Sequence, residues 1–255
     1  MGQARIGPDG LSATYWTEIG QRVTKSIDKL AQRQQATAAG RIIPDDEDLV
    51  IGEGKGLRLA VMYLDICDFS GWPSGDFSEQ ASVLTVFNLY MTEMVRIASD
   101  YGGDIEKNTG DGLLIYFDPQ TGETDEDVCK RALACGLSML ATTHYLVNPV
   151  LQASKLPEVH FRIGMDFGPV TIARIGSSKL FNSRVAIGSV ANVASKMLAK
   201  AGEDEVVVGN EFRNRLPTTW AQHSSLLTME SGFVYVVSQS PYPLYKYTGR
   251  WTRLV

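Results

Sequence analysis

Leu57-Arg58-Leu59-Ala60-Val61-Met62-Tyr63-Leu64-Asp65-Ile66-Cys67-Asp68-Phe69-Ser70 is the stretch around which the chain is read. Apolar residues dominate up to Leu64, and Asp65 closes the run. A continuous apolar strand belongs inside a sheet covered on at least one face. A carboxylate at its end is costly to bury unpaired, so it should meet water, a base or a metal. Further on, Lys107-Asn108-Thr109-Gly110-Asp111-Gly112 precedes the apolar run Leu113 to Phe117. Glycines on either side of Asp111 suit a tight hairpin turn. If the strand after Asp111 lies beside the strand ending at Asp65, the two carboxylates converge. Such a pair, without a histidine nearby, suits hard Mg²⁺ or Mn²⁺ held together with a substrate's phosphates.

Working outward, Leu11, Tyr15, Ile19, Val23, Ile27 and Leu30 recur at helical spacing, with Glu18, Gln21, Arg22, Lys25 and Asp28 between them. An amphipathic helix of this kind docks either on its own domain or on a second copy, and both readings stay open. Residues 1–10 read as a tail and Arg41 to Gly56 as a linker. The expected organisation is therefore a helical extension and linker over 1–50, followed by one domain over 51–255.

Downstream, Glu79 to Tyr101 and Asp127 to Val147 carry helical apolar patterns, with Gly102-Gly103 as a helix stop. Ile105 to Phe117 reads as a hairpin, and Val159 to Phe167 and Pro169 to Ile175 as two strands joined at Gly168-Pro169. A third helix opens at Gly188-Ser189, Glu205 to Val208 reads as a short strand, and Gly232 to Leu254 as paired strands. The order β-α-β-β-α-β, with additions, predicts an α+β, ferredoxin-like sheet with helices on one face.

The chain has 255 residues, 44% of them hydrophobic and 21% charged, as in ordinary globular proteins. Its net charge of −5 gives no general attraction to nucleic acid or anionic membranes. The cysteines Cys67, Cys129 and Cys135 form no Cys-x-x-Cys pair, which fits a reducing compartment. No apolar run approaches the ~20 residues of a membrane span, and no signal-peptide core follows Met1. The expectation is a cytoplasmic protein. His144, His160 and His223 have no metal-ligand spacing, and the aromatic tail reads as core or edge packing.

Leu64-Asp65-Ile66-Cys67-Asp68-Phe69-Ser70, Gly102-Gly103-x-x-x-Lys107-x-x-Gly110-Asp111-Gly112, Arg162-Ile163-Gly164-Met165-x-x-Gly168-Pro169-Val170 and Gly188-x-x-x-Asn192-x-Ala194-Ser195 carry a resemblance. In this order they resemble the class III nucleotide cyclase domain, over roughly residues 55–210. The N-terminal helix and the lack of a sensor domain make the chain most similar to the pyrimidine cyclases of Pycsar antiphage systems. The resemblance implies closure of the ribose 3′-oxygen of a nucleoside triphosphate onto its α-phosphorus, with release of pyrophosphate. It implies two Mn²⁺ or Mg²⁺ ions held by Asp65, Asp111 and the Ile66 carbonyl, and phosphates held by backbone amides from Cys67 through Phe69 to Ser70.

The resemblance further implies a head-to-tail homodimer whose active sites are shared. Asn192 would orient the ribose, and Lys196 stands where the family usually has an arginine for the α-phosphate. Lysine keeps the charge and loses the planar fork of donors. Lys107 occupies a base-reading position, and Val185 one that is usually polar in purine enzymes. Tyr63 would crowd a purine. A donor-only Lys107 suits a uracil carbonyl, so UTP is the expected substrate and cyclic UMP the product, read by a separate effector in antiviral defence. A cytidylate cyclase, a purine cyclase and a catalytically silent nucleotide-binding module are the alternatives. No nucleic-acid or membrane partner is expected.

Overall fold

The computed structural model describes residues 12–32, 54–108, 110–177 and 181–251. The expected tail and nearly all of the expected linker lie outside them. In chain order the elements are α1 (Ala13–Gln32), β1 (Gly54–Ile66), α2 (Phe77–Asp100), β2 (Asp104–Asn108), β3 (Gly112–Phe117), α3 (Asp125–Thr142), α4 (Asn148–Ala153), β4 (Phe161–Ser177), β5 (Phe181–Ile187), α5 (Ser189–Met197), β6 (Val206–Gly209), α6 (Asn210–Arg213), α7 (Thr218–Ala221), β7 (Ser224–Thr228) and β8 (Leu244–Tyr247). The expected linker thus ends early, because Gly54 already belongs to β1.

Local chemistry fixes the helix ends. The Asp76 side chain accepts from the amides of Ser78 and Glu79 at the start of α2. At its other end Gly102 takes φ +66°, and the Gly103 amide donates back to the Ala98 carbonyl. Thr124 and Asp127 form a capping box before α3. The expected single helix to Val147 instead loosens into a π-helical turn, Thr143–Val147, before α4.

The sheet runs β2-β3-β1-β4-β6-β8-β7, with β5 paired to the outer part of β4. Its β2-β3-β1-β4 portion is antiparallel throughout and is the ferredoxin-like arrangement expected. Three expectations change. The segments on either side of Gly168-Pro169 form one strand, β4, paired to β1 along its length. Pro169 falls between the part of β4 paired to β6 and the part paired to β5, where a missing donor is tolerated. The tail contributes one strand, β8, whose partner β7 arises from the unpredicted segment Ser224–Thr228.

The third change concerns the faces. Ala60, Met62, Leu64 and Ile66 of β1 pack with residues of α1, α2 and α3, whereas Leu59 and Val61 pack with Val190, Ala191 and Ala194 of α5. Helices therefore cover both faces rather than one. Gly164 makes this possible, because a Cβ there would lie 2.3 Å from the Ala194 carbonyl oxygen.

The N-terminal helix docks on its own domain. Tyr15, Ile19 and Val23 are buried in the main core, and the Tyr15 hydroxyl donates to Asp100 at 2.9 Å. Arg22 pairs with Asp100 and, at 3.1 Å, with the fully buried Glu93 of α2. Cys67, Cys129 and Cys135 are all unpaired. Tyr242 and Tyr247 are buried, and Trp251 packs edge-on against Trp220, so the aromatic tail is packing.

Asp166 is the buried carboxylate of β4, accepting from the Tyr242 hydroxyl at 2.7 Å and from the Phe167 amide. Burial pushes its pKa up to about 7, against the hydrogen bonds from Tyr242 and Phe167. Its folded-state pKa is thus above the unfolded value, so its contribution is complete below about pH 4 and is lost as pH rises through about 7. The expected slope is at most about 1.4 kcal/mol per pH unit. Asp166→Asn keeps the acceptor for Tyr242 and should be more stable than the parent at pH 8, with the difference shrinking at pH 5. Urea midpoints at both values check this, and equal pH dependence in the two proteins would refute it.

Candidate active site

Period-two alternation along β1 sends Asp65 to the α5 face, the same side as Tyr63. Antiparallel pairing puts Gly112 opposite Asp65 on one side and Arg162 opposite it on the other. Asp111, immediately before β3, is therefore carried to the end of β1, and the Ile66 amide donates to its carbonyl at 3.3 Å. The Asp65 and Asp111 carboxyl groups come within hydrogen-bonding reach. The convergence expected from the two separate strand ends is present.

Arg162 was quoted above only as part of a motif, and the structure gives it a place in the site. Its Nη2 meets Asp65 Oδ2 at 3.1 Å, and its Nε is buried without a hydrogen-bond partner among the described residues. Burial is the main influence raising the Asp65 pKa, Asp111 adds to it, and Arg162 opposes both. The signal was available in the sequence: Phe161, Ile163, Met165 and Phe167 alternate, which sends Arg162 to the face of Asp65.

The donor set fits hard divalent cations: two adjacent carboxylates, with the Ile66 backbone at the same corner. No group of three or more His, Cys, Asp or Glu side chains is placed to hold a metal ion among the described residues. Any ion here must therefore share its coordination with backbone, water or phosphate oxygens, as Mg²⁺ commonly does.

Beyond Ile66 the chain turns at Asp68, φ +51°, into the short 3₁₀ turn Phe69–Gly71. The Cys67 amide donates to the His160 carbonyl at 2.8 Å, so it is not available to a phosphate, contrary to expectation. The Phe69 ring packs against Phe87 of α2 and Trp72, which leaves its backbone as the part suited to a ligand.

The remaining expected residues lie elsewhere in the chain. Lys107 shares a cross-strand row with Leu114, Tyr63 and Gly164. Tyr63 is half-buried, and burial together with the charge of Glu106 raises its pKa. Glu106 sits at a register shift in β2 and accepts from the Tyr116 hydroxyl. Sequence reasoning passed over it because an irregularity in pairing leaves no mark on the alternation. Val185 pairs with Ala173, towards the far end of β4 from Arg162. Asn192 and Lys196 are exposed on α5, and the Lys196 ammonium lies 5.6 Å from the centroid of the Phe233 ring. Among the described residues, no hydrogen bond or ion pair joins Val185, Asn192 or Lys196 to the carboxylates.

The chain belongs to the family described as the adenylate and guanylate cyclase catalytic domain, which matches residues 56–236. It is 28% identical over 207 residues to an adenylate cyclase of Anabaena cylindrica, covering 76% of this chain and 39% of that one. It is 27% identical over 190 residues to an adenylate cyclase of Streptomyces coelicolor, covering 74% and 41%. The chain thus spans about two fifths of the length of these relatives. Among solved structures, the adenylyl cyclase CyaB from P. aeruginosa has the same fold, with TM-score 0.64 and 20% identity over 80% of this chain and all of that one. A class III adenylyl cyclase-like ATP-binding protein from Pseudomonas aeruginosa also matches, with TM-score 0.62 and 19% identity over 80% and 45%. No helix among the described residues is long and apolar enough to cross a membrane.

Proposed function

We propose that the chain is a nucleotide cyclase, joining the ribose 3′-oxygen of a nucleoside triphosphate to its α-phosphorus and releasing pyrophosphate, with UTP as the favoured substrate. The convergence of Asp65, Asp111 and Arg162 at the end of β1 carries this reading. Two Mn²⁺ or Mg²⁺ ions, when bound, lower the pKa of the sugar hydroxyl and offset charge on the leaving phosphates.

The chain's own groups bind and orient. Asp65, Asp111 and the Ile66 carbonyl hold the ions, and the backbone from Asp68 through Phe69 to Ser70 receives phosphate oxygens. Arg162 adds a planar cation whose unpartnered Nε suits the same anion. Asn192 orients the ribose and Lys196 meets the α-phosphate. Both are supplied by the second chain of a homodimer, because in one chain neither touches the carboxylates. A lysine there provides a point charge where a guanidinium would provide a fork.

Tyr63, Lys107 and Val185 read the base. The phenol narrows the space a purine needs, and an aliphatic Val185 offers no acceptor to an adenine amino group. Lys107 donates to uracil O4. Glu106, beside Tyr63, favours CTP as the second reading, since a carboxylate accepts from the cytosine amino group. The cyclic product would act on a separate effector, in the antiphage role the Pycsar resemblance implies.

Incubation with ATP, GTP, CTP or UTP and Mn²⁺, followed by product analysis, tests the proposal. We expect the order UTP, CTP, then purines. Losing one buried hydrogen bond changes specificity about ten- to a hundredfold, so Val185→Asp alone is not expected to convert the enzyme. Tyr63→Ala with Val185→Asp should raise kcat/KM for ATP measurably. Better turnover of ATP or GTP by the parent protein would overturn the pyrimidine assignment. Tight binding without turnover of any triphosphate would indicate a silent nucleotide-binding module.

A further inference from the structure

The three most exposed large apolar side chains among the described residues are Val237, at 97%, Phe77, at 89%, and Val236, at 79%. They fall at two places. Val236 and Val237 form the tip of a hairpin between β7 and β8, and Phe77 opens α2, shortly after the turn Phe69–Gly71. Neither place is loose chain. In the hairpin the Tyr242 amide donates to the Phe233 carbonyl and the Tyr235 amide to the Ser240 carbonyl, both at 2.9 Å. At its tip Gln239 takes φ +55°, and its side chain donates to the Val236 carbonyl at 2.8 Å. Phe77 is fixed by the Asp76 cap. Two adjacent valines held in water by so many bonds gain the single chain nothing, whereas a docked surface would cover them.

The hairpin is fastened to α5. Phe233 and Tyr235 pack against the cluster that holds Val193 and Met197, and the Phe233 ring lies under the Lys196 ammonium. The tip extends about 10 Å beyond Phe233 at the rise of an extended strand. In the shared-site reading, Lys196 of one copy reaches the phosphates at the Asp68–Ser70 backbone of the other. That docking carries the first copy's hairpin to the second copy's turn, and Phe77 stands just past that turn. Within one chain the tip and Phe77 both stay exposed, so neither covers the other.

We propose that the hairpin Phe233–Tyr242 is a dimer arm, its Val236–Val237 tip packing on Phe77 of the partner subunit. This inference rests on the shared-site reading given above. In a two-fold dimer the contact is made twice, once beside each site. The arm thereby brings Lys196 and the partner's phosphate turn together in the same docking.

Sedimentation of the full chain in Mn²⁺ with all four 3′-deoxynucleoside triphosphates tests the proposal without depending on the base. Val237→Glu and Phe77→Lys should each raise the dimer dissociation constant about a hundredfold, since one lost apolar contact is worth about tenfold and each is lost twice. Val237→Glu combined with Phe77→Lys should recover about tenfold or more, because the new charges are opposite and face each other. Circular dichroism of the dilute, monomeric proteins should give one spectrum, as both side chains are exposed. A parental dissociation constant in Val237→Glu would overturn the proposal, and no recovery in the double variant would overturn Phe77 as the surface the tip meets. A parent protein that stays monomeric would instead overturn the shared-site reading itself.

Discussion

Asp65→Ala and Asp111→Ala should each lower cyclase activity on the order of a thousandfold or more, because each removes a ligand from a site with few to spare. Asp65 and Asp111 are the two carboxylates the site brings together, and no third His, Cys, Asp or Glu completes a cluster with them among the described residues. The two substitutions differ in their effect on the metal-free protein. Asp111 raises the Asp65 pKa, so removing Asp111 relieves a repulsion. Removing Asp65 also takes away the partner that Arg162 holds at 3.1 Å. Asp65 is partly exposed and its loss costs only a modest amount of stability, since solvent screens the pair. Asp111→Ala should therefore have an equal or higher thermal midpoint than the parent, and Asp65→Ala an equal or lower one. Circular dichroism melts with a pyrophosphate-release assay read both quantities. Near-parental activity in either variant would remove that carboxylate from the metal assignment.

The sequence carried the fold wherever burial alternates with period two or recurs with helical spacing. The run Leu57 to Leu64 and the alternation from Phe161 to Phe167 placed β1 and the first part of β4, and hence the corner where Asp65 and Arg162 meet. Features that depend on contacts distant in sequence were not legible. Gly164 looks like a weak strand residue until α5 is seen lying against it, and without that contact nothing tells which face the third helix covers. Gly168-Pro169 reads as a break, yet the ladder to β1 continues through it, because Pro169 stands between two strand partners rather than beside one. β7 is short and largely exposed, so it lacks the burial signal that marks the central strands. Within the site, the two carboxylates were visible from strand-end chemistry. The place of Glu106 beside Tyr63 required the register shift in β2.

A mixture of two inactive proteins, Asp65→Ala and Asn192→Ala, should regain activity if the sites are shared between chains. The argument starts from one chain, in which Asn192 and Lys196 are exposed on α5 and make no bond to the carboxylates. α5 is held by the approach of Gly164 to Ala194 and by the packing of Val190 over Gly168, so it is not free to swing towards Asp65. In a two-fold dimer each site would take its carboxylates from one copy and Asn192 and Lys196 from the other. A mixed dimer then has one site carrying both substitutions and one site carrying neither. Random pairing of equal amounts makes about half of the dimers mixed, so roughly a quarter of parental activity should return. Co-purification on two different tags establishes that mixed dimers have formed, and activity is then read on that fraction, where about half of the parental value is expected. No recovery in purified mixed dimers would place Asp65 and Asn192 in the service of the same chain's site. The same experiment with Lys196→Ala in place of Asn192→Ala asks whether the lysine works across the interface as well. If it does, the ammonium must reach the partner's substrate from its position over Phe233, and Phe233→Leu should then alter kcat more than KM.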